Sequence, residues 1–173
     1  APPRGCPGGL GAAMPPDTRA VNVAATAFTR AADWGRALAL LQQARGQDLR
    51  PSVVTFGAQL AALDRAARWE ASLASLQEMR NHFLPPGAIC FNATISACAA
   101  ARRWEPAIAL LRDMPRRQAA PDAISYNSAM KALELGGLWR WGPALLEEMR
   151  RVGIRPTIVT YTTLAKTCEA GSL

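Results

Sequence analysis

The residue types that could carry out chemistry are few and widely spaced. Cys6, Cys90, Cys98 and Cys168 include no C-x-x-C pair, so the usual ligand spacing of a zinc site is missing and a disulfide framework is not indicated. A reducing interior compartment follows. The one histidine, His82, is followed by Phe83 and Leu84, which is not the H-x-E step of a zinc deaminase. Metal-dependent hydrolysis or Ser-His-Asp chemistry would rest on His82 alone, and we read it as a surface loop residue. The acidic residues are scattered and suggest no metal-binding cluster. The chain is therefore expected to have no catalytic residue, no metal site, no cofactor and no small-molecule substrate.

Recognition of a partner is better supported. The net charge is +7, and Arg accounts for 18 of the 20 positive charges. Such a balance favours acidic partners, RNA or an anionic surface. Half of the 173 residues are hydrophobic, enough to bury a substantial core in one domain or one compact array. No uncharged apolar run approaches the ~18–20 residues of a membrane-spanning helix.

The elements that would position a binding surface show themselves as a period. Trp34, Trp69, Trp104 and Trp139 are spaced by 35 residues, as are Pro16, Pro51, Pro86, Pro121 and Pro156. Met79, Met114 and Met149 keep the same interval. Three residue types in lockstep mark a structural repeat. We divide the chain into a Pro/Gly-rich lead-in (1–17), four units (18–52, 53–87, 88–122, 123–157) and a partial fifth (158–173). The lead-in is expected to be extended or flexible. The remnant would supply a first helix and could act as a cap.

Each unit reads as two short helices. Ile89, Phe91, Ile95 and Cys98 form one apolar stripe; Trp104, Ile108, Leu111 and Met114 form a second at three- and four-residue steps. The proline near the close of each unit stops the second helix. One such hairpin has too little core to fold alone, and stacking on neighbours buries both stripes. The expected fold is all-α, a right-handed α-solenoid of stacked helical hairpins. The periodic Trp is expected to pack between the two helices of its unit. Gly142 and Pro143 predict a late start for the second helix of the fourth unit.

The segments AISYNSAMKAL and ALLEEMRRVGIRPT, with AICFNATISACAA and a closing APD, resemble pentatricopeptide repeats of the simple 35-residue type. The resemblance spans about nine-tenths of the chain. Tetratricopeptide repeats are the nearest competitor. Their period is one residue shorter, and their Trp falls on the first helix rather than opening the second.

The resemblance implies recognition of single-stranded RNA inside an organelle, one base per unit. In the family the fifth and last residues of a unit select the base. Carried onto this chain, the selecting pairs are Asn22 with Ser52, Asn92 with Asp122, and Asn127 with Thr157; Thr162 stands in the partial unit. Gly57 with Gly87 has no side chains to read with. The implied preference is 5′-C-N-U-Y, leaning to pyrimidines. Aliphatic wedges between bases would be Val54, Ile89, Ile124 and Val159, with Arg19 departing from the pattern. Arg30 and Arg65 stand where the family has a phosphate contact; Ala100 and Leu135 replace them later.

Two functions stay open at this point. One is an organellar RNA-binding protein acting in processing, stability or translation of transcripts. The other is a scaffold subunit of a large organelle complex, a ribosome or an energy-converting assembly, gripping protein or structured RNA. The Asn and aliphatic positions could equally be ordinary exposed residues. The pairs Arg102–Arg103, Arg116–Arg117 and Arg150–Arg151 could simply complement helix ends.

Overall fold

In a computed structural model the described residues run from 52 to 169; before them only Gly35, Arg36, Ala39, Gln42 and Gln43 are described, as helical. Asn22, Arg30, Arg19, Trp34 and the 1–17 lead-in lie outside the described residues. From residue 52 onward the elements are α1 (Val53–Arg65), α2 (Trp69–Asn81), α3 (Ala88–Ala100), α4 (Trp104–Arg116), α5 (Ala123–Leu135), a 3-10 turn (Trp139–Trp141), α6 (Gly142–Arg151) and α7 (Ile158–Glu169). The odd-numbered helices begin 35 residues apart. Among the described residues there is no strand, and no helix is long and apolar enough to cross a membrane.

Side chains cap the start of three of these helices. Ser52 and Asp122 cap α1 and α5 in reciprocal boxes with Thr55 and Ser125. Thr157 pairs with Thr160 in the same way at α7. Six helices end in a residue with positive φ: Ala67, Phe83, Arg102, Gln118, Gly137 and Gly153. Behind each, a backbone N–H returns to the helix's last turn, as from Arg68 to the Leu63 carbonyl. This arrangement satisfies carbonyls that the helix leaves unpaired.

The first helices of the hairpins form a continuous layer. α1 packs on α3, α3 on α5 and α5 on α7, whereas α2, α4 and α6 pack on first helices and not on one another. Phe56, Phe91 and Tyr126, at the fourth place of α1, α3 and α5, are buried, as are Met79, Met114 and Met149 from the second helices. Together they fill the seam between the two layers. The corresponding Tyr161 of α7 is 47 % exposed, because no second helix follows it within the described residues.

The tryptophans differ from the expectation. Trp69 and Trp104 are half-buried and reach the following hairpin rather than only their own. The Arg103 guanidinium lies 4.9 Å from the Trp69 ring, and Trp104 Cδ1 would stand 3.0 Å from a Cβ on Gly136. They seal neighbouring hairpins to each other. Trp139 is exposed and stacks under Arg140. The late start of α6 is as expected, with a 3-10 turn in place of its first turn. Gly142 also lets α7 approach: a Cβ there would lie 2.8 Å from Leu164.

Candidate nucleic-acid interface

The N-terminal turns of α1, α3, α5 and α7 repeat one pattern of exposure. At the second place Val54, Ile89, Ile124 and Val159 are 62, 80, 60 and 60 % exposed. At the third place Thr55, Cys90, Ser125 and Thr160 are buried. At the fifth place Gly57, Asn92 and Asn127 are half-exposed, and Thr162 is exposed. Four aliphatic side chains held in water at a constant register gain nothing for folding. They form an apolar row available to a flat ligand.

Between these aliphatic residues sits a polar node, best developed from α3 to α5. Asn92 Nδ2 donates to Asp122 Oδ1 and Oδ2 at 3.1 and 3.3 Å. The Ser125 hydroxyl lies 2.6 Å from Asn92 Oδ1 and 3.0 Å from Asp122 Oδ1. The Ser125 backbone N–H closes the node on Asp122 Oδ1 at 2.8 Å. Burial works to raise the Asp122 carboxyl. Hydrogen bonds from the Ser125 N–H, the Ser125 hydroxyl, Asn92 and the Ile124 N–H outweigh it and hold the group below its ordinary value. Asp122 therefore presents a stable anion and acceptor.

From α5 to α7 the node recurs with a neutral closing residue. The Thr160 hydroxyl donates to Asn127 Oδ1 at 2.7 Å and contacts Thr157 Oγ1 at 3.2 Å. Asn127 Nδ2 has no protein partner among the described residues. Thr162 stands apart: its hydroxyl donates to the Ile158 carbonyl of its own helix. From α1 to α3 the node is absent. Gly57 and Gly87 contribute no side chain and Cys90 replaces the hydroxyl, while the space beside both glycines is open. Ser52 is half-buried and its hydroxyl is committed to Thr55.

Arg65 is exposed in the last turn of α1. It is one of two cations acting on Asp64; the other is Lys131 of α5. Burial of Asp64 dominates and raises its carboxyl, against a Ser96 hydrogen bond and these cations. Lys131, and Lys166 35 residues later, are exposed on first helices. They stand one helical turn before the register of Arg65, Ala100 and Leu135. Neither lysine was singled out by sequence reading. Their shared register with the Asn row was the signal that could have found them. The recurring Thr55, Ser125 and Thr160 hydroxyls were missed in the same way.

Other chemistry is sparse. Among the described residues no group of three His, Cys, Asp or Glu side chains could hold a metal ion. His82 is exposed at the end of α2, 3.9 Å from Glu78. Cavities of about 220 and 200 Å³ lie in grooves between α2 and α4 and between α4 and α6, where second helices do not touch.

Three family profiles match the chain. A pentatricopeptide repeat domain profile matches residues 39–101, a PPR repeat family profile residues 86–134, and a PPR repeat profile residues 124–154. This chain belongs to the pentatricopeptide repeat family. Among solved structures it is similar to the pentatricopeptide repeat protein PPR10 in complex with an 18-nucleotide psaJ RNA element, at 31 % identity and a TM-score of 0.78. The match covers 90 % of this chain and 23 % of that one. PPR10 from maize matches at 31 % identity and a TM-score of 0.80, over 90 % of this chain and 22 % of that one. The PPR domain of Arabidopsis thaliana protein-only RNase P 1, in complex with tRNA, shares the fold at 15 % identity and a TM-score of 0.75, over 91 % of this chain and 86 % of that domain. No curated protein sequence matches the chain significantly. The chain thus spans less than a quarter of the PPR10 chain.

The family places the repeats; this chain's residues decide what each can do. At the α3–α5 and α5–α7 junctions, exposed aliphatic side chains flank a polar node. The α3–α5 node has an amide donor and a carboxylate acceptor. The α5–α7 node has an amide and two hydroxyls.

Proposed function

We propose that this protein binds single-stranded RNA and acts in organellar RNA metabolism (processing, stability or translation) without catalysing a reaction itself. The Asn92–Asp122–Ser125 node, set between the exposed Ile89 and Ile124, carries the reading. It offers hydrogen-bonding groups at the depth where an unstacked base would present its edge. The RNA bound by PPR10 supports it, as does the +7 charge. Asn127 with Thr157 takes the next base, with Asn22 and Ser52 taking the first, in the order 5′-C-N-U-Y. Gly57 and Gly87 span a base without reading it. Val54, Ile89, Ile124 and Val159 separate the bases, and Arg30 and Arg65 meet phosphates, joined by Lys131.

Each base held by stacking is worth about 1–3 kcal/mol. Three or four bases, less an association cost of at least about 4 kcal/mol, give micromolar affinity at best. Titration of labelled C-A-U-U RNA into the 173-residue chain tests this. Micromolar binding that weakens with added salt, and that falls when the third base is changed, is expected. Binding with no base preference would overturn the reading. One observation favours a second role: the α1–α3 junction has no polar node, so the reading row is interrupted. A scaffold subunit gripping protein or structured RNA would give that result, together with co-purification in a large complex.

A further inference from the structure

We propose that the edge formed by the bends closing α2, α4 and α6 is a second RNA-binding surface. It holds single-stranded RNA that flanks the bases of the row, without regard to sequence: Phe83 stacks on a base and the arginines of the three bends meet phosphates. This rests on the RNA binding proposed above and adds a surface that the first helices do not supply.

Phe83 is the anchor. It stands at the left-handed bend after α2, at φ 56°, where the equivalent places after α4 and α6 hold Gln118 and Gly153. That backbone region crowds a β-carbon, and glycine enters it freely. The ring gains nothing from the fold in return. It is 93 % exposed and contacts no other ring among the described residues. Its neighbour His82 differs, with its ring 6.3 Å from that of the buried Phe56. A large aromatic side chain held in water on a constrained backbone is a platform for a flat partner.

The same bends carry the charge. Segments 80–85, 115–120 and 150–155 share one register and contain Arg80, Arg116, Arg117, Arg150, Arg151 and Arg155, with no Asp or Glu. All but Arg117 are exposed. Arg117 pairs with Asp113, and Arg150 lies 4.0 Å from Glu147. Arg116 and Arg155 make no ion pair among the described residues. Helix ends account for Arg116 and Arg150, whereas Arg155 lies beyond α6.

Each bend leads into the next first helix. Phe83 precedes Ile89 by six residues and Arg155 precedes Val159 by four. Phe83 is therefore no more than about 22 Å from the aliphatic row. RNA held in the row meets this edge at a high effective concentration. A protein or membrane partner would need a contiguous apolar patch. Here the large exposed hydrophobic residues of the three bends are Phe83 and Val152, with Gln118 on the bend between them. An aromatic platform among cations, with no carboxylate, is how single strands are held without base preference.

Two labelled RNAs test the edge with the 173-residue chain: C-A-U-U alone, and C-A-U-U flanked on both sides by oligoadenylate. The flanked RNA is expected to bind about tenfold tighter, with a steeper salt dependence. Phe83→Ala should remove most of that gain, and Phe83→Trp should keep it. Arg116→Ala combined with Arg155→Ala should lower the salt slope for the flanked RNA by about 1.4. None of these changes should alter C-A-U-U affinity by more than about twofold. Phe83→Gly separates binding from folding: it should raise the melting temperature, by relieving the bend, and still lose the gain. A folded Phe83→Ala chain that binds the flanked RNA as tightly as the native chain would overturn the inference, as would equal native affinities for the two RNAs. Phosphatidylserine vesicles that bind the native chain and not Phe83→Ala, with the RNA gain untouched, would give the edge to a membrane and overturn it too. A native chain without third-base preference that keeps the Phe83-dependent gain would overturn the base reading proposed above and support the edge.

Discussion

The Thr160 hydroxyl reaches back 33 residues to donate to Asn127 Oδ1, and the closing residue beside them is the neutral Thr157 rather than a carboxylate. This one difference from the α3–α5 node gives a direct test. Thr157→Asp should convert the fourth base to a uracil preference of about tenfold. Asp caps a helix at least as well as Thr, so stability should stay within about 0.5 kcal/mol. Anisotropy titrations with C-A-U-U and C-A-U-C decide it; an unchanged ratio would count against base reading by Asn127 and its closing residue.

Asp122 links the node to folding. Its folded carboxyl titrates below the ordinary 3.8, so its contribution is fully present above that value. The contribution is lost as the pH falls from there through the lower folded value. Asp122→Ala should cost about 1 kcal/mol at neutral pH through the lost cap of α5. Urea unfolding of both chains from pH 6 to 2 should show the gap closing only below about pH 4. Asp64 runs the other way. Burial raises its folded carboxyl above 3.8, so it works against folding at neutral pH and is relieved as the pH falls through that raised value.

Ile89 and Ile124 stand in water at 80 and 60 % exposure. Replacing both by Ala should change unfolding free energy by no more than about 0.5 kcal/mol each. The same change should weaken C-A-U-U binding by roughly tenfold, about 1.4 kcal/mol, if they flank a base. Paired chemical denaturation and RNA titration check the two halves separately. Loss of stability without loss of binding would assign these residues to packing.

Ala67 and Gly137 occupy the same bend after α1 and α5, at φ 51° and 73°. An alanine there sits in the left-handed region that glycine enters at no steric cost. Ala67→Gly should therefore stabilise the chain by up to about 1 kcal/mol, and Gly137→Ala should destabilise it by a similar amount. Thermal melts of the two variants, run together, should move in opposite directions.

The cysteines should differ in reactivity. Cys90 and Cys98 are buried. Desolvation pushes both thiols up, Cys98 to about 11. Since the thiolate is the reactive form, neither should alkylate at pH 8 in the folded chain. The exposed Cys168 should do so, and both buried thiols should follow in denaturant. Peptide mapping after iodoacetamide treatment reports each site.

The period of 35 was enough to place the helices, because a repeat that cannot bury its own apolar face must stack in register. It also gave the registers of Ile89, Asn92 and Asp122, which helix geometry then holds at one end of a shared layer. It did not show where the tryptophans point. A ring in the groove between hairpins and a ring inside one have the same periodicity, and only the close approach of Trp104 to Gly136 separates them. Lys131 escaped notice because its partner region, Asp64 and Arg65, is two hairpins away in the chain.

The amino-acid sequence by itself determined the helical hairpin, its stacking and the row of side chains at each first helix. Those follow from apolar spacing, capping residues and the prolines that end each unit, all of which act over a few residues. Only the tertiary structure decided what the row can do. The Ser125–Asn92 bond joins atoms from successive hairpins over 33 residues. A hydroxyl's single hydrogen can be assigned to a carboxylate, an amide or its own backbone only when all the acceptors are in place. Spacing brings Asn92 and Asn127 to the same register; the three-dimensional structure sets the Asp122 carboxylate against the first amide and the Thr160 hydroxyl against the second.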